Sequence, residues 1–178
     1  LRTVDGGNTY DAERPLIQRG PEYSRVHPNR YTWIGKNSCC FATLPPFLVR
    51  LSNGTVFLPC YYAPLNEAGQ YLNPRQTSTY SQVFGLIGTW NEERRDLDWE
   101  VTDPIQVTPE QSTGGLSECG VIELQDRPGQ VLMAIRGGNE GDQTGTVPCV
   151  KWRTLSRDFG RTWSPPEPLT FSDGTPFW

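Results

Sequence analysis

Gly120-Val121-Ile122-Glu123-Leu124 and Gln130-Val131-Leu132-Met133-Ala134-Ile135-Arg136 flank a short turn at 125–129, and this hairpin decides how the chain reads. Both runs are apolar and β-prone, and Asp126, Pro128 and Gly129 punctuate the turn between them. A second hairpin lies upstream, where Phe47-Leu48-Val49-Arg50-Leu51 and Val56-Phe57-Leu58-Pro59-Cys60-Tyr61-Tyr62 flank Ser52-Asn53-Gly54-Thr55. Asn-Gly between two β-rich runs is a strong hairpin signal. It also explains the Asn53-Gly54-Thr55 sequon without a sugar. Beyond each hairpin the order repeats: a long loop, a third strand at 80–90 or 147–155, a turn, and a short strand carrying Trp99 or Trp163. Leu51 and Leu124 stand 73 residues apart and the two tryptophans 64, so the period is near 70.

A repeat of four short strands is the unit of a β-propeller blade, which buries its faces only by stacking on neighbours. Two such units cannot close a ring, which needs about four blades or more. The expected fold is therefore all-β: an incomplete propeller of two to three four-stranded antiparallel blades, forming one partial domain over 1–178. Residues 47–101 are one blade, 116–165 the next, and 166–178 the start of another. Residues 1–46 read as a loop-rich remnant of a preceding blade, strand-like only at Tyr31-Thr32-Trp33-Ile34 and Cys39-Cys40-Phe41-Ala42. Leu1-Arg2-Thr3-Val4-Asp5 has no signal-peptide core, and Thr175-Pro176-Phe177-Trp178 ends on aromatics, so the chain reads as a piece of something longer.

Composition narrows the function. Hydrophobic residues make up 35% and charged residues 20% of 178, which fits neither a disordered tail nor a membrane span. Gly and Pro number 18 and 16, high for a helical protein. Sixteen basic against twenty acidic side chains give a net charge of −4 with no basic run, so no nucleic-acid partner is expected. His27 is the single histidine and sits in a turn-like Val26-His27-Pro28-Asn29, which removes multi-histidine metal sites. Five cysteines, Cys39, Cys40, Cys60, Cys119 and Cys149, show no C-x-x-C spacing, so no metal or organic cofactor is implied.

Ser156-Arg157-Asp158-Phe159-Gly160-Arg161-Thr162-Trp163 has the pattern S-x-D-x-G-x-T-W. The aspartate can accept from its own turn, the glycine can take positive φ, and the tryptophan can fill the gap between sheets. The pattern resembles the Asp-box of the sialidase (neuraminidase) family, in which Ser156, Asp158, Gly160, Thr162 and Trp163 would be structural. In the first repeat it is degenerate, with Glu92, Arg94, Asp96 and Asp98 ahead of Trp99. The resemblance runs from about Phe47 to Trp178 and implies a six-bladed ring.

By that resemblance the chemistry lies in Leu116-Ser117-Glu118-Cys119-Gly120 and Ala134-Ile135-Arg136-Gly137. Glu118 would be the glutamate that assists a tyrosine nucleophile, and Arg136 one of three arginines clamping the carboxylate of a sialylated glycan or related acidic sugar. If Asp126 and Gly129 close the turn, Glu118 falls opposite Gly137 and beside Arg136. Regular alternation would then point the two to opposite faces, so a bulge near Gly120 or Gly137 is needed to join them. Tyr61 and Tyr62 end the equivalent strand of the first repeat and are expected to contact the substrate, whereas Glu123 reads as a polar-facing mid-strand position. The family's aspartate acid/base, its other arginines and its nucleophile have no counterpart here. A secreted or periplasmic enzyme is the expectation. The alternatives are a non-catalytic propeller that binds glycans or proteins, and another exo-glycosidase or lyase on the same scaffold.

Overall fold

The computed structural model describes residues 3, 5–10, 15–37, 39–41, 48–142 and 144–177, so Phe47, Ala42 and Trp178 lie outside it. Among these residues there is no α-helix, and thus none long and apolar enough to cross a membrane. Nine strands form two antiparallel sheets. The first contains β1 (Cys39–Phe41), β2 (Val49–Arg50), β3 (Val56–Tyr62), β4 (Gln82–Asn91) and β5 (Asp96–Val101). The second is the meander β6 (Ser117–Glu123), β7 (Val131–Arg136), β8 (Lys151–Ser156) and β9 (Glu167–Pro168). The expected all-β class with antiparallel sheets is what forms; the second sheet is a four-strand meander, and the first carries a fifth strand.

Details differ from the sequence reading for local reasons. β1 belongs to the first sheet, although it comes from the segment that sequence left unplaced. It shares one edge of β3 with β2: β2 pairs through Phe57, β1 from Cys60 onward, and Pro59, which has no N–H to donate, falls in the gap. Trp163 is not in a strand, because the chain continues through Pro165 and Pro166 before β9 forms at Glu167. Trp99 by contrast lies within β5, so the two tryptophans are not equivalent and only the strand order repeats.

Two apolar clusters hold the sheets. The larger fills the seam between them, with Phe57, Val83 and Ile87 from the first sheet meeting Cys119, Val121, Met133, Ile135 and Trp152 from the second. The smaller packs the far face of the first sheet, Leu58, Cys60, Tyr62, Phe84, Leu86 and Trp99, against Leu16 and Tyr31. The N-terminal segment therefore covers that face, and Arg19 donates its N–H to the Trp99 carbonyl at 2.8 Å. The second sheet is buried on its seam face only: along β7 burial alternates strictly, and Ile122 on the outer face of β6 is 59% exposed.

The 156–163 turn closes the seam at its turn end. Ser156 Oγ and Thr162 N–H donate to Asp158 Oδ1 at 2.7 and 2.9 Å, Thr162 Oγ1 donates to Oδ2 at 2.6 Å, and Gly160 N–H donates to Ser156 Oγ at 2.8 Å. Burial alone would raise the Asp158 carboxyl, but the Thr162 and Ser156 hydrogen bonds outweigh it and hold it below the usual range. Gly160 has φ +82°, and a Cβ there would sit 2.6 Å from the Phe57 ring. That ring packs edge-on against Trp163, centroids 5.6 Å apart.

Thr3, Asp5, Gly7 and Thr9 reproduce this turn bond for bond. Thr3 Oγ1 donates to Asp5 Oδ1 at 2.7 Å, Gly7 N–H to Thr3 Oγ1 at 2.9 Å, Thr9 N–H to Asp5 Oδ1 at 2.9 Å and Thr9 Oγ1 to Asp5 Oδ2 at 2.6 Å. The sequence reading overlooked it because threonine stands for the first serine and Tyr10 for the tryptophan.

Candidate functional site

The seam's two ends are built differently. At the turn end, Glu123 accepts from Ser52 N–H, Ser52 Oγ and Gly129 N–H, each at 2.7 Å, tying the 51–55 turn of one sheet to the 124–130 turn of the other. Burial raises the Glu123 carboxyl, and the Gly129 and Ser52 hydrogen bonds together outweigh it to leave a lowered value. Glu123 is thus a staple between sheets, a role its mid-strand alternation did not suggest.

The other end stays open. There a cleft of about 370 Å³ is lined by Tyr61, Glu118 and Arg136 together with Ser78, Glu140 and Cys149, among others. Its size falls within the range of small-ligand sites, about 300–1,000 Å³. β3 delivers Tyr61, the start of β6 delivers Glu118, and the last residue of β7 is Arg136.

The expected register, with Glu118 opposite Gly137, is one residue off along the whole hairpin: Cys119 pairs with Ile135 and Glu123 with Val131, a ladder that brings Glu118 to Arg136 rather than to Gly137. A bulge then follows at the strand end, where Ser117 pairs with Arg136 and Glu118 is the extra residue. The irregularity sits at Glu118 itself rather than at Gly120 or Gly137. Arg136 Nη1 donates to Glu118 Oε2 at 2.8 Å, with the arginine side chain 55% and the glutamate 31% exposed. This bond raises the Arg136 guanidinium above its ordinary value. Among the described residues the pair closes through Nη1 alone, which leaves the Nε and Nη2 donors for a ligand.

Tyr61 and Tyr62 point to opposite sides of the first sheet, as a period of two requires. Tyr61 packs against the seam cluster and lines the cleft. Burial first, then the neighbouring Cys40 and the charge of Glu118, push its phenol up to about 12. At neutral pH it is an un-ionised hydroxyl that can donate or accept. Tyr62 is 6% exposed, stacks on Tyr31 and donates to Gln82 Oε1 at 2.6 Å, so the expectation that it meets substrate is not met: it is core.

Sequence reasoning missed Ser78 and Glu140, which reach the cleft from loops without periodic pattern. His27 does not line the cleft; it stacks on Trp33 at 3.7 Å in its own surface turn. All five cysteines are free thiols. Among the described residues, no group of three or more His, Cys, Asp or Glu is placed to hold a metal ion. No family model, curated protein or solved structure matches the chain.

Proposed function

We propose that the cleft binds the terminal acidic sugar of a sialylated glycan, and that the chain is part of a sialidase-like propeller in which the 3–9 and 156–163 turns are Asp-boxes. The observation that carries this reading is the meeting of Arg136, Glu118 and Tyr61 in one open cleft. Arginine suits the carboxylate because its planar fork can bind both oxygens. A neutral tyrosine is a better nucleophile than a carboxylate toward an anomeric carbon that already bears a negative group, since like charges repel. A glutamate beside such a tyrosine takes its proton as it attacks, and Glu118 has that role here.

Tyr61, at the end of β3 on the wall of the cleft, is assigned to substrate contact. The nucleophile, the aspartate acid and the remaining clamp arginines have no counterpart in residues 1–178, so this chain supplies recognition and one proton acceptor. The ion pair between Glu118 and Arg136 favours a second reading, a glycan-binding propeller without hydrolysis, because it engages the proposed base.

The test is titration of the 178-residue chain with N-acetylneuraminic acid glycal, followed by NMR. Resonances of Tyr61, Glu118 and Arg136 move, and Arg136→Ala abolishes the shifts. A titration that leaves these three residues unmoved overturns the reading.

A further inference from the structure

Two thiols on the first sheet, away from the cleft, are placed to react with each other. β1 pairs with β3 so that Cys39 lies opposite Tyr62 and Cys60 opposite Phe41, which makes Cys39 and Cys60 a diagonal pair across the two strands. Both side chains belong to the apolar cluster on the far face, Cys60 fully buried and Cys39 at its margin. Their thiols are in hydrogen-bonding contact. The nearest other cysteines face the opposite way: Cys40 pairs with Tyr61 and shares its side of the sheet, and Cys119 belongs to the seam cluster.

The pair is asymmetric, as a reacting dithiol requires. Cys60 donates to Cys39, which lowers the Cys39 thiol below its ordinary value, while that same bond and burial push the Cys60 thiol up. Cys39 lines a groove of about 600 Å³ with Leu16, Ile34 and Phe41, so a small molecule can reach it from solvent, whereas Cys60 has no exposed surface. The Cα atoms of a diagonal pair lie about 7–8 Å apart, a little beyond the about 6.8 Å that a disulfide usually spans. Closing a bond therefore draws the strands together by about an ångström. β1, three residues at the sheet edge, is the side that can move.

We propose that Cys39 and Cys60 are a redox modification site, which a small-molecule disulfide such as oxidised glutathione converts to a cross-strand disulfide that fastens the N-terminal cover to the first sheet. The Cys39 thiolate attacks one sulfur of the small disulfide, whose S–S bond breaks to release one thiolate and leave a mixed disulfide on Cys39. Cys60 then gives up its proton and attacks the Cys39 sulfur, expelling the second thiolate. The protons of Cys39 and Cys60 end on the two released thiols, so the protein pair loses two electrons and the small disulfide gains them. The bond closes a loop between residues 21 apart and secures β1, which only three residue pairs hold to β3. The segment that covers the far face leads into β1, and Asn37 Nδ2 already donates to the Ala63 carbonyl just past β3 at 2.9 Å.

The experiment incubates the reduced 178-residue chain with oxidised glutathione, blocks the remaining thiols with N-ethylmaleimide and maps the bonds by tandem mass spectrometry of an unreduced digest. A peptide joining Cys39 to Cys60 is expected. The oxidised chain melts about 5–10 °C above the reduced one, and dithiothreitol reverses the rise. Cys39→Ser, which alters only the marginal thiol, shows neither the joined peptide nor the rise. Cys40→Ser keeps both, which assigns the bond to Cys39 rather than to its neighbour. Recovery of Cys39 and Cys60 as blocked thiols, glutathione left on Cys39 with Cys60 unjoined, or a bond through Cys40 or Cys119 in its place overturns the proposal. A joined chain whose melting temperature has not moved overturns the fastening of the cover.

Discussion

Glu123 and Glu118 stand at the two ends of one strand and behave in opposite ways. Glu123 has three donors at 2.7 Å and bridges two turns; Glu118 has one, from a half-exposed arginine, and faces a cleft. The contrast extends to their surroundings. At the turn end Phe57, Gly160 and Trp163 interlock, whereas at the cleft end strand residues meet Ser78, Glu140 and Cys149 from loops. Carboxylates whose acceptors are filled by the protein hold the fold together, and a carboxylate left with spare capacity is available to a ligand.

Several substitutions would break or sharpen this contrast. The largest effect is expected from Trp163→Ala, which removes the partly buried aromatic wedge against Phe57 and lowers unfolding free energy by about 3 kcal/mol, the low end for a large aromatic. Chemical denaturation measures it, and an unchanged midpoint would mean that the turn end does not hold the seam. Next is Glu123→Ala, which strands the Ser52 and Gly129 N–H groups near the surface and should cost about 1–2 kcal/mol. A loss no greater than that of Glu118→Ala would erase the difference between the two ends.

Acid should act on the turn end too. The folded state lowers the carboxyls of Asp158 and Glu123, so it binds fewer protons than the unfolded chain at mildly acid pH. Their contribution is fully present above the unfolded carboxylate range, about 3.9–4.3, and is lost as pH falls through the lower folded values. Melting temperatures followed from pH 7 down to pH 3 should decline, and less steeply in an Asp158→Asn, Glu123→Gln double variant. Parallel curves would show that neither group is linked to folding. The smallest effect on stability is expected from Glu118→Gln, within about 1 kcal/mol, because a half-exposed ion pair contributes little. A larger loss would make the pair structural.

Both hairpins were legible in the sequence because their apolar runs and turn residues agree, and so was the all-β class. The nearness of Glu118 and Arg136 also followed from counting back from the turn. The one-residue difference in register and the bulge at Glu118 did not, since neither leaves a compositional trace. Tyr62 went astray because adjacent strand residues face opposite ways, and sequence could not say which face of β3 meets the second sheet. Glu140 and Ser78 come together across 62 residues through loops, where no period exists to read. The turn at Thr3, Asp5, Gly7 and Thr9 keeps the aspartate, glycine and threonine of the 156–163 pattern but has threonine and Tyr10 where that pattern has serine and tryptophan.

The role proposed for Arg136, binding a ligand carboxylate, is decided by calorimetry. Calorimetry would compare N-acetylneuraminic acid glycal with the same ring carrying a primary alcohol in place of the carboxylate, on the parent chain and on Arg136→Ala and Arg136→Lys. Removing one partner of a hydrogen-bonded charge pair costs about 2–5 kcal/mol when it is buried, and the half-exposed Arg136 should fall at the low end of that range. The carboxylate ligand is expected to lose about thirtyfold on Arg136→Ala and to recover only in part on Arg136→Lys, while the alcohol's weak binding stays as it was. Equal losses for the two ligands would contradict it and leave Arg136 as nothing more than the ion-pair partner of Glu118.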